Sequence, residues 1–270
     1  MSSFDEKILN VVSDLAATNN PFKDKWVTII GDSISTYTGY IPEGHTTYYP
    51  NGDVTDVSKT WWHILLTKLG AKLCVNESWS GRRVCMGESE ARGLINVMDN
   101  LKRVAGTEYT NLDGTTEIAT KDISPDIILI NVGINDFGNG EKLGEIVYES
   151  STGSYTTDSG FIPAYLSLLI NIIVKYPKAK VYLMNILPAY DKLGFRKANA
   201  NGARLIDYRE AIDKMARLYE SSVIHLDRFN LTAMNIGSYT SDKLHPNAKL
   251  MNMIANQCYT EMMSSNVLLK

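Results

Sequence analysis

Ser33 follows Gly31 and Asp32 at the end of an apolar run, and Asp242 and His245 stand three positions apart near the C-terminus. A serine hydroxyl is a poor nucleophile until an imidazole takes its proton and a carboxylate fixes the imidazole's tautomer. Together the three residues supply a nucleophile, a base and a base-orienting acid, which is the equipment of acyl transfer. Each also has an ordinary reading. Asp32 or Ser33 could be a helix N-cap, and Asp242 and His245 could be a loop acid and a surface histidine. The other histidines offer less: His225 sits in a strand-like run and reads as a core residue, His63 lies in a tryptophan-containing helical stretch, and His45 belongs to a tyrosine-rich loop that could meet substrate. No His-x-x-x-His spacing exists, so a metal site is not expected.

Acyl transfer also needs donors for an oxyanion. Asn76-Glu77-Ser78-Trp79-Ser80-Gly81-Arg82-Arg83 offers the bare N–H of Gly81, and Gly133-Ile134-Asn135-Asp136 offers the Asn135 amide. Turn chemistry explains both segments equally well: glycine for an unusual backbone angle, Asn-Asp for a helix start.

Short apolar runs at 26–30, 71–75, 126–132, 180–184 and 223–226 read as five strands. The third is nearly continuous in apolar residues, as expected of a strand covered on both faces of a parallel sheet. Between the runs, Trp61, Leu65, Leu66 and Leu69, then Leu166, Leu169, Ile170 and Ile173, then Leu205, Ile212, Met215 and Tyr219 keep helical spacing. A last helix is expected over residues 248–262, started by the turn at Pro246 and Asn247. Strands alternating with helices predict an α/β fold: a three-layer α/β/α sandwich on a five-stranded parallel sheet with right-handed crossovers. No repeat or low-complexity linker divides the 270 residues, so they read as one domain, 1–270, with 1–20 as an N-terminal helical extension. Stretches 35–59, 106–124 and 137–160 read as long loops, and two of them follow the carboxyl ends of strands, where open α/β sheets place ligands.

The 27 basic and 30 acidic side chains leave a formal charge of -3, which gives no electrostatic case for nucleic acid or an anionic membrane. Three cysteines, Cys74, Cys85 and Cys258, show no Cys-x-x-Cys spacing, so neither a disulfide framework nor a zinc site is expected. Residues 1–20 are charged and lack a long apolar stretch, so they resemble neither a secretory signal nor an anchor. A cytoplasmic protein is the expectation, and a secreted one trimmed of its leader would read the same way.

Gly-Asp-Ser after the first strand, Gly81 after the second, Gly-x-Asn-Asp after the third and Asp-x-x-His near the end form, in that order, a pattern that resembles the SGNH (GDSL-type) hydrolases from about Trp26 onward. The resemblance implies a flavodoxin-like sandwich without cofactor, Ser33 as nucleophile, His245 as base and Asp242 as its partner. It implies Gly81 and Asn135 as oxyanion donors beside the Ser33 N–H. Ile34 replaces the leucine that often follows the serine, a swap of little consequence for packing. Ser80-Gly81-Arg82 resembles the Ala-Gly-Arg form of the family's carbohydrate acetylesterases.

The expected activity is hydrolysis of a short acyl ester, most simply acetyl, on a carbohydrate. Tyr37, Tyr40, Tyr48, Tyr49, Trp61, Trp62 and Trp79 suit sugar faces, though Trp61 and Trp62 also fit as plain core. Substrate binding is assigned to Tyr37, Tyr40, Trp79 and Arg82. Arg82 and Arg83 would meet a substrate carboxylate or form surface ion pairs. A thioesterase or lysophospholipase of the same family, and a carbohydrate-binding protein without turnover, are the competing readings.

Overall fold

The computed structural model describes residues 20–85, 93–149, 151, 154–157, 159–188 and 197–267. The expected N-terminal extension therefore lies, except for Asn20, outside the described residues. Five strands form the central sheet: β1 (Trp26–Gly31), β2 (Lys72–Asn76), β5 (Ile127–Asn131), β8 (Lys180–Met184) and β9 (Ser222–Ile224). Their order is β2-β1-β5-β8-β9, with every pairing parallel. All five residues of β5 are buried, because it lies at the centre of the sheet and is covered on both sides.

The helices are α1 (Trp61–Leu69), α2 (Ile134–Gly138), α3 (Phe161–Lys175), α4 (Leu205–Leu218) and α5 (Ala248–Val267). From β1, α1 leads outward to β2, whereas α3 and α4 lead the opposite way through β8 to β9. Crossovers of one hand travelling in opposite directions put their helices on opposite faces, so α1 covers one face and α3 and α4 the other. α5 packs against α1 and completes the first layer. The direction reverses at β1, and open α/β sheets place their ligands at the carboxyl side of such a reversal.

Local sequence explains the helix ends. Thr60 caps α1 by accepting from the His63 N–H, and Gly70 ends it in the left-handed region at φ 59°. Asn247 starts α5 by accepting from Leu250. Trp61 and Trp62 are both fully buried, so the core reading of that pair holds and neither can face a sugar.

Three expectations need correction. α3 buries Phe161, Tyr165, Leu168, Leu169 and Ile172, while Ile170 is 44% exposed and Leu166 and Ile173 are half-buried. The two aromatic rings carry more apolar area than the aliphatic stripe, so the helix turns to bury them. Residues 106–124 are not a plain loop but hold the antiparallel hairpin of β3 (Glu108–Thr110) and β4 (Thr116–Ile118), closed at Asp113 and Gly114. Within 137–160 a second hairpin pairs β6 (Ile146–Glu149) with β7 (Ser154–Thr157). Stretch 35–59 has no strand of its own, only a bridge between Asn51 and Val54 and a 3-10 turn over Val57–Lys59.

The free edge of β2 is covered by a buried arginine. Arg103 donates from Nε to the Cys74 carbonyl at 2.9 Å and from Nη2 to the Leu73 carbonyl at 2.8 Å, and its Nη1 meets Glu117 at 2.7 Å. This cap occupies acceptors that an exposed edge would offer to another chain. Cys74 and Cys258 are buried and all three cysteines are free thiols.

Candidate active site

Gly31 is the last residue of β1, and the chain turns sharply after it. A Cβ there would lie 2.5 Å from Ser35 Cβ and 2.6 Å from the Ser78 hydroxyl, so only glycine fits. Asp32 provides the cap, its Oδ1 accepting from the Ile34 N–H at 3.0 Å. The chain that follows is a single 3-10 turn, Ser33–Ser35, so Asp32 rather than Ser33 takes the N-cap position. Ser33 keeps 5% of its surface exposed. Burial pushes the Asp32 carboxyl up to about 7, although the Ile34 N–H pulls the other way.

The turn at 241–245 delivers the histidine. Asp242 Oδ1 accepts from the N–H groups of Leu244 at 3.1 Å and His245 at 2.7 Å, and the Ser241 N–H closes onto the His245 carbonyl at 2.9 Å. Lys243 takes φ 70° to make the turn that tight, a conformation a side chain seldom adopts. As a result Asp242 Oδ2 lies 2.7 Å from His245 Nδ1, and His245 Nε2 lies 2.9 Å from Ser33 Oγ. The carboxylate–imidazole–hydroxyl line is thus complete, with His245 oriented from Nδ1 and free to take a proton at Nε2.

Electrostatics suit that use. Burial pulls the His245 imidazole below its usual value, and Asp242 partly opposes this. Burial alone would raise the Asp242 carboxyl, but the N–H groups of the turn and the imidazole hold it below the usual carboxylate value. At neutral pH the base is neutral and its partner ionised.

Gly81 and Asn135 follow β2 and β5, the two strands that flank β1. Gly81 adopts φ 79° within a turn closed by the Arg82 N–H on the Trp79 carbonyl at 3.1 Å. The Asn135 amide donates to the Arg82 carbonyl at 3.0 Å, which leaves one amide N–H for another acceptor. Asp136, which reads in the sequence as a helix start, ties the same two segments together by accepting from the N–H groups of Val84 at 3.0 Å and Cys85 at 2.9 Å. Burial raises its carboxyl to about 6.

Of the residues assigned to substrate, Tyr37, Tyr40 and Trp79 are half-buried. Tyr37 and Tyr40 meet edge to face at 6.2 Å, and Trp79 stacks on His45 at 3.9 Å. Arg82 overturns its expectation. It has no exposed surface; its guanidinium lies 3.6 Å from the equally buried Glu77 carboxylate and reaches the Glu77 carbonyl. It therefore meets neither a substrate carboxylate nor the surface. Glu77, pushed by burial to about 7, was the missed partner, and its place five residues before Arg82 was the available signal. Arg83 does form an ion pair near the surface, with Glu141. Tyr49 is buried, His63 bonds to the Leu112 carbonyl, and His225 is half-buried beside Glu261 rather than in the core.

Cavities of about 690 and 410 Å³ lie along the β2 edge, and neither is lined by Ser33, Asp242 or His245. Neither cavity sets a serine beside a histidine, so the paired hydroxyl and imidazole at Ser33 and His245 mark the site instead. Among the described residues, no cluster of three His, Cys, Asp or Glu side chains could hold a metal ion, and no helix is long and apolar enough to cross a membrane.

The sequence model of the GDSL-like Lipase/Acylhydrolase family matches residues 25–262. A solved structure from Bacteroides ovatus ATCC 8483, described as a GDSL-like lipase, is 26% identical with a TM-score of 0.60, covering 90% of this chain and 99% of its own. Another so described, from Bacteroides uniformis ATCC 8492, is 25% identical with a TM-score of 0.60 and coverages of 89% and 96%. The fold also matches a family two carbohydrate esterase from Clostridium thermocellum, solved with cellohexaose, at 17% identity and a TM-score of 0.53, covering 90% of this chain and 65% of that one. No curated protein matches the chain.

Proposed function

Since the chain belongs to the GDSL-like lipase/acylhydrolase family, we propose that it is a serine esterase that removes short acyl groups, acetyl above all, from a carbohydrate. The observation that carries this reading is the unbroken line from Asp242 Oδ2 through His245 to Ser33 Oγ, at 2.7 and 2.9 Å. His245 Nε2 takes the Ser33 proton as Oγ bonds to the acyl carbon. The resulting oxyanion is held by the N–H groups of Ser33 and Gly81 and the Asn135 amide. Collapse breaks the bond to the alcohol, which leaves with the proton from His245. Water, deprotonated by the same nitrogen, then releases the acid and restores Ser33.

The half-buried faces of Tyr37, Tyr40 and Trp79 support a sugar, because a ring offers flat apolar area beside a polar edge. A small acyl group is supported by the loop after Ser33, whose residues 35–59 are polar and tyrosine-rich, with no apolar run to cover a long chain. A p-nitrophenyl ester series from acetate to octanoate, run beside acetylated oligosaccharides, tests both halves. The expected result is a kcat/KM that falls with chain length and release of acetate from the oligosaccharides. A steep preference for octanoate would refute the short-acyl assignment, and inertness toward acetylated saccharides would refute the carbohydrate one.

A further inference from the structure

The stretch between β1 and α1 sets two consecutive tyrosines against the turn that carries the base. The Tyr48 ring lies face to face with the His245 imidazole, centroids 3.5 Å apart and planes 10° from parallel. Its hydroxyl donates to Asp242 Oδ2 at 3.2 Å and lies 2.9 Å from Ser241 Oγ. Tyr49, buried and packed edge-on against Tyr48 at 4.9 Å, donates its hydroxyl to the Pro246 carbonyl at 2.7 Å. Thr36, three residues beyond the nucleophile, accepts from the Tyr48 N–H at 2.9 Å. One short segment therefore spans the serine end and the histidine end of the site.

We propose that Tyr48 is a positioning residue for the acid–base pair: its ring locks the imidazole plane and stabilises the imidazolium formed as Ser33 loses its proton, while its hydroxyl completes the Asp242 shell. This rests on the esterase reading and deepens it. The face of an aromatic ring is electron-rich, so it attracts a cation laid on it more than a neutral ring. His245 is neutral at rest and cationic at the tetrahedral stage, so the stack favours the later state. The same contact stops the imidazole from rotating away from Ser33. The stack also takes one face of the Tyr48 ring out of reach of a sugar.

The groups facing His245 are Asp242 on its own turn, the Ser33 hydroxyl from the end of β1, and Tyr48 from the loop; Asp242 is the charged one among them. Tyr48→Leu keeps apolar cover over the imidazole and removes the π face. Its expected effects are a kcat about tenfold lower, equivalent to ~1.4 kcal/mol, with KM little changed. The acid limb of kcat/KM should also move to lower pH, because the protonated imidazole loses support. Tyr48→Phe keeps the face and loses only the hydroxyl's contacts with the exposed Asp242 and Ser241 side chains, so kcat should stay within about threefold of wild type.

Replacing residue 48 with phenylalanine and then with increasingly fluorinated phenylalanines weakens the face at nearly constant shape, so folding does not enter the comparison. Here kcat should fall with each fluorine. Wild-type kcat and an unmoved acid limb in Tyr48→Leu, or a flat fluorination series, would overturn the proposal. A rise in KM alone would also overturn it and make Tyr48 a substrate contact. Labelling of wild-type Ser33 by a fluorophosphonate separates the two levels. A labelled wild type with an unaffected Leu variant defeats only the role of Tyr48, whereas an unlabelled wild type defeats the esterase reading and this role with it.

Discussion

Asn135→Ala should lower kcat on p-nitrophenyl acetate by about 10²–10³, with KM little changed. One amide N–H of Asn135 is anchored to the Arg82 carbonyl at 3.0 Å, which holds the second in place before substrate arrives. A donor already in place needs no reorganisation as charge develops, and losing one such donor costs about 2.7–4 kcal/mol in the transition state. The ground-state carbonyl carries little charge, so binding should hardly notice. Alanine also frees the Arg82 carbonyl, but Asp136 still grips Val84 and Cys85, so the β2 loop should stay in place. Initial rates across a substrate range separate kcat from KM, and a thermal melt checks the fold. A kcat within about threefold of wild type in a folded variant would refute the assignment, and a loss confined to KM would move Asn135 from the oxyanion to substrate binding.

Other consequences follow from burial and packing. The acid limb of kcat/KM should fall below the ordinary histidine value of about 6.5, because burial lowers the His245 pKa and the neutral imidazole is the active form; a limb at or above that value would contradict it. Asp32 has an unfolded value near 3.8 and a folded one of about 7, so between them the folded protein holds a proton that the unfolded chain has lost. Stability should therefore fall as pH rises from about 4 to 7, with Glu77 and Asp136 acting the same way, and thermal melts should show Asp32→Asn flattening that slope. Equal slopes in the variant and wild type would rule out Asp32 as a source. Gly31→Ala forces a methyl against Ser35 and Ser78 and should cost about 1–3 kcal/mol in urea denaturation, whereas an undiminished midpoint would show that the turn can yield.

What the sequence disclosed follows the range of the forces involved. Apolar runs and turn residues are local, so the five strands, the Asp32 cap and the tight Asp-x-x-His turn were legible, and the order of the motifs pointed to the family. The face of α3 was misread because aliphatic spacing was counted without the larger burial of Phe161 and Tyr165. The sequence points Arg82 toward a substrate carboxylate or a surface ion pair because its compensation comes from Glu77 inside the core, and a sequence does not display burial. The Tyr48 stack on His245 joins residues far apart in the chain through a stretch without strands, and no periodicity reports such a path.

Esterase activity requires that Ser33 be a nucleophile made reactive by His245. Mass spectrometry of tryptic peptides after brief treatment with a fluorophosphonate tests it without knowledge of the natural ester. The expected result is a single phosphonylated peptide containing Ser33, with labelling abolished in Ser33→Ala and slowed by orders of magnitude in His245→Ala. An unmodified Ser33 in the folded wild-type protein, or equal labelling with and without the imidazole, would contradict it.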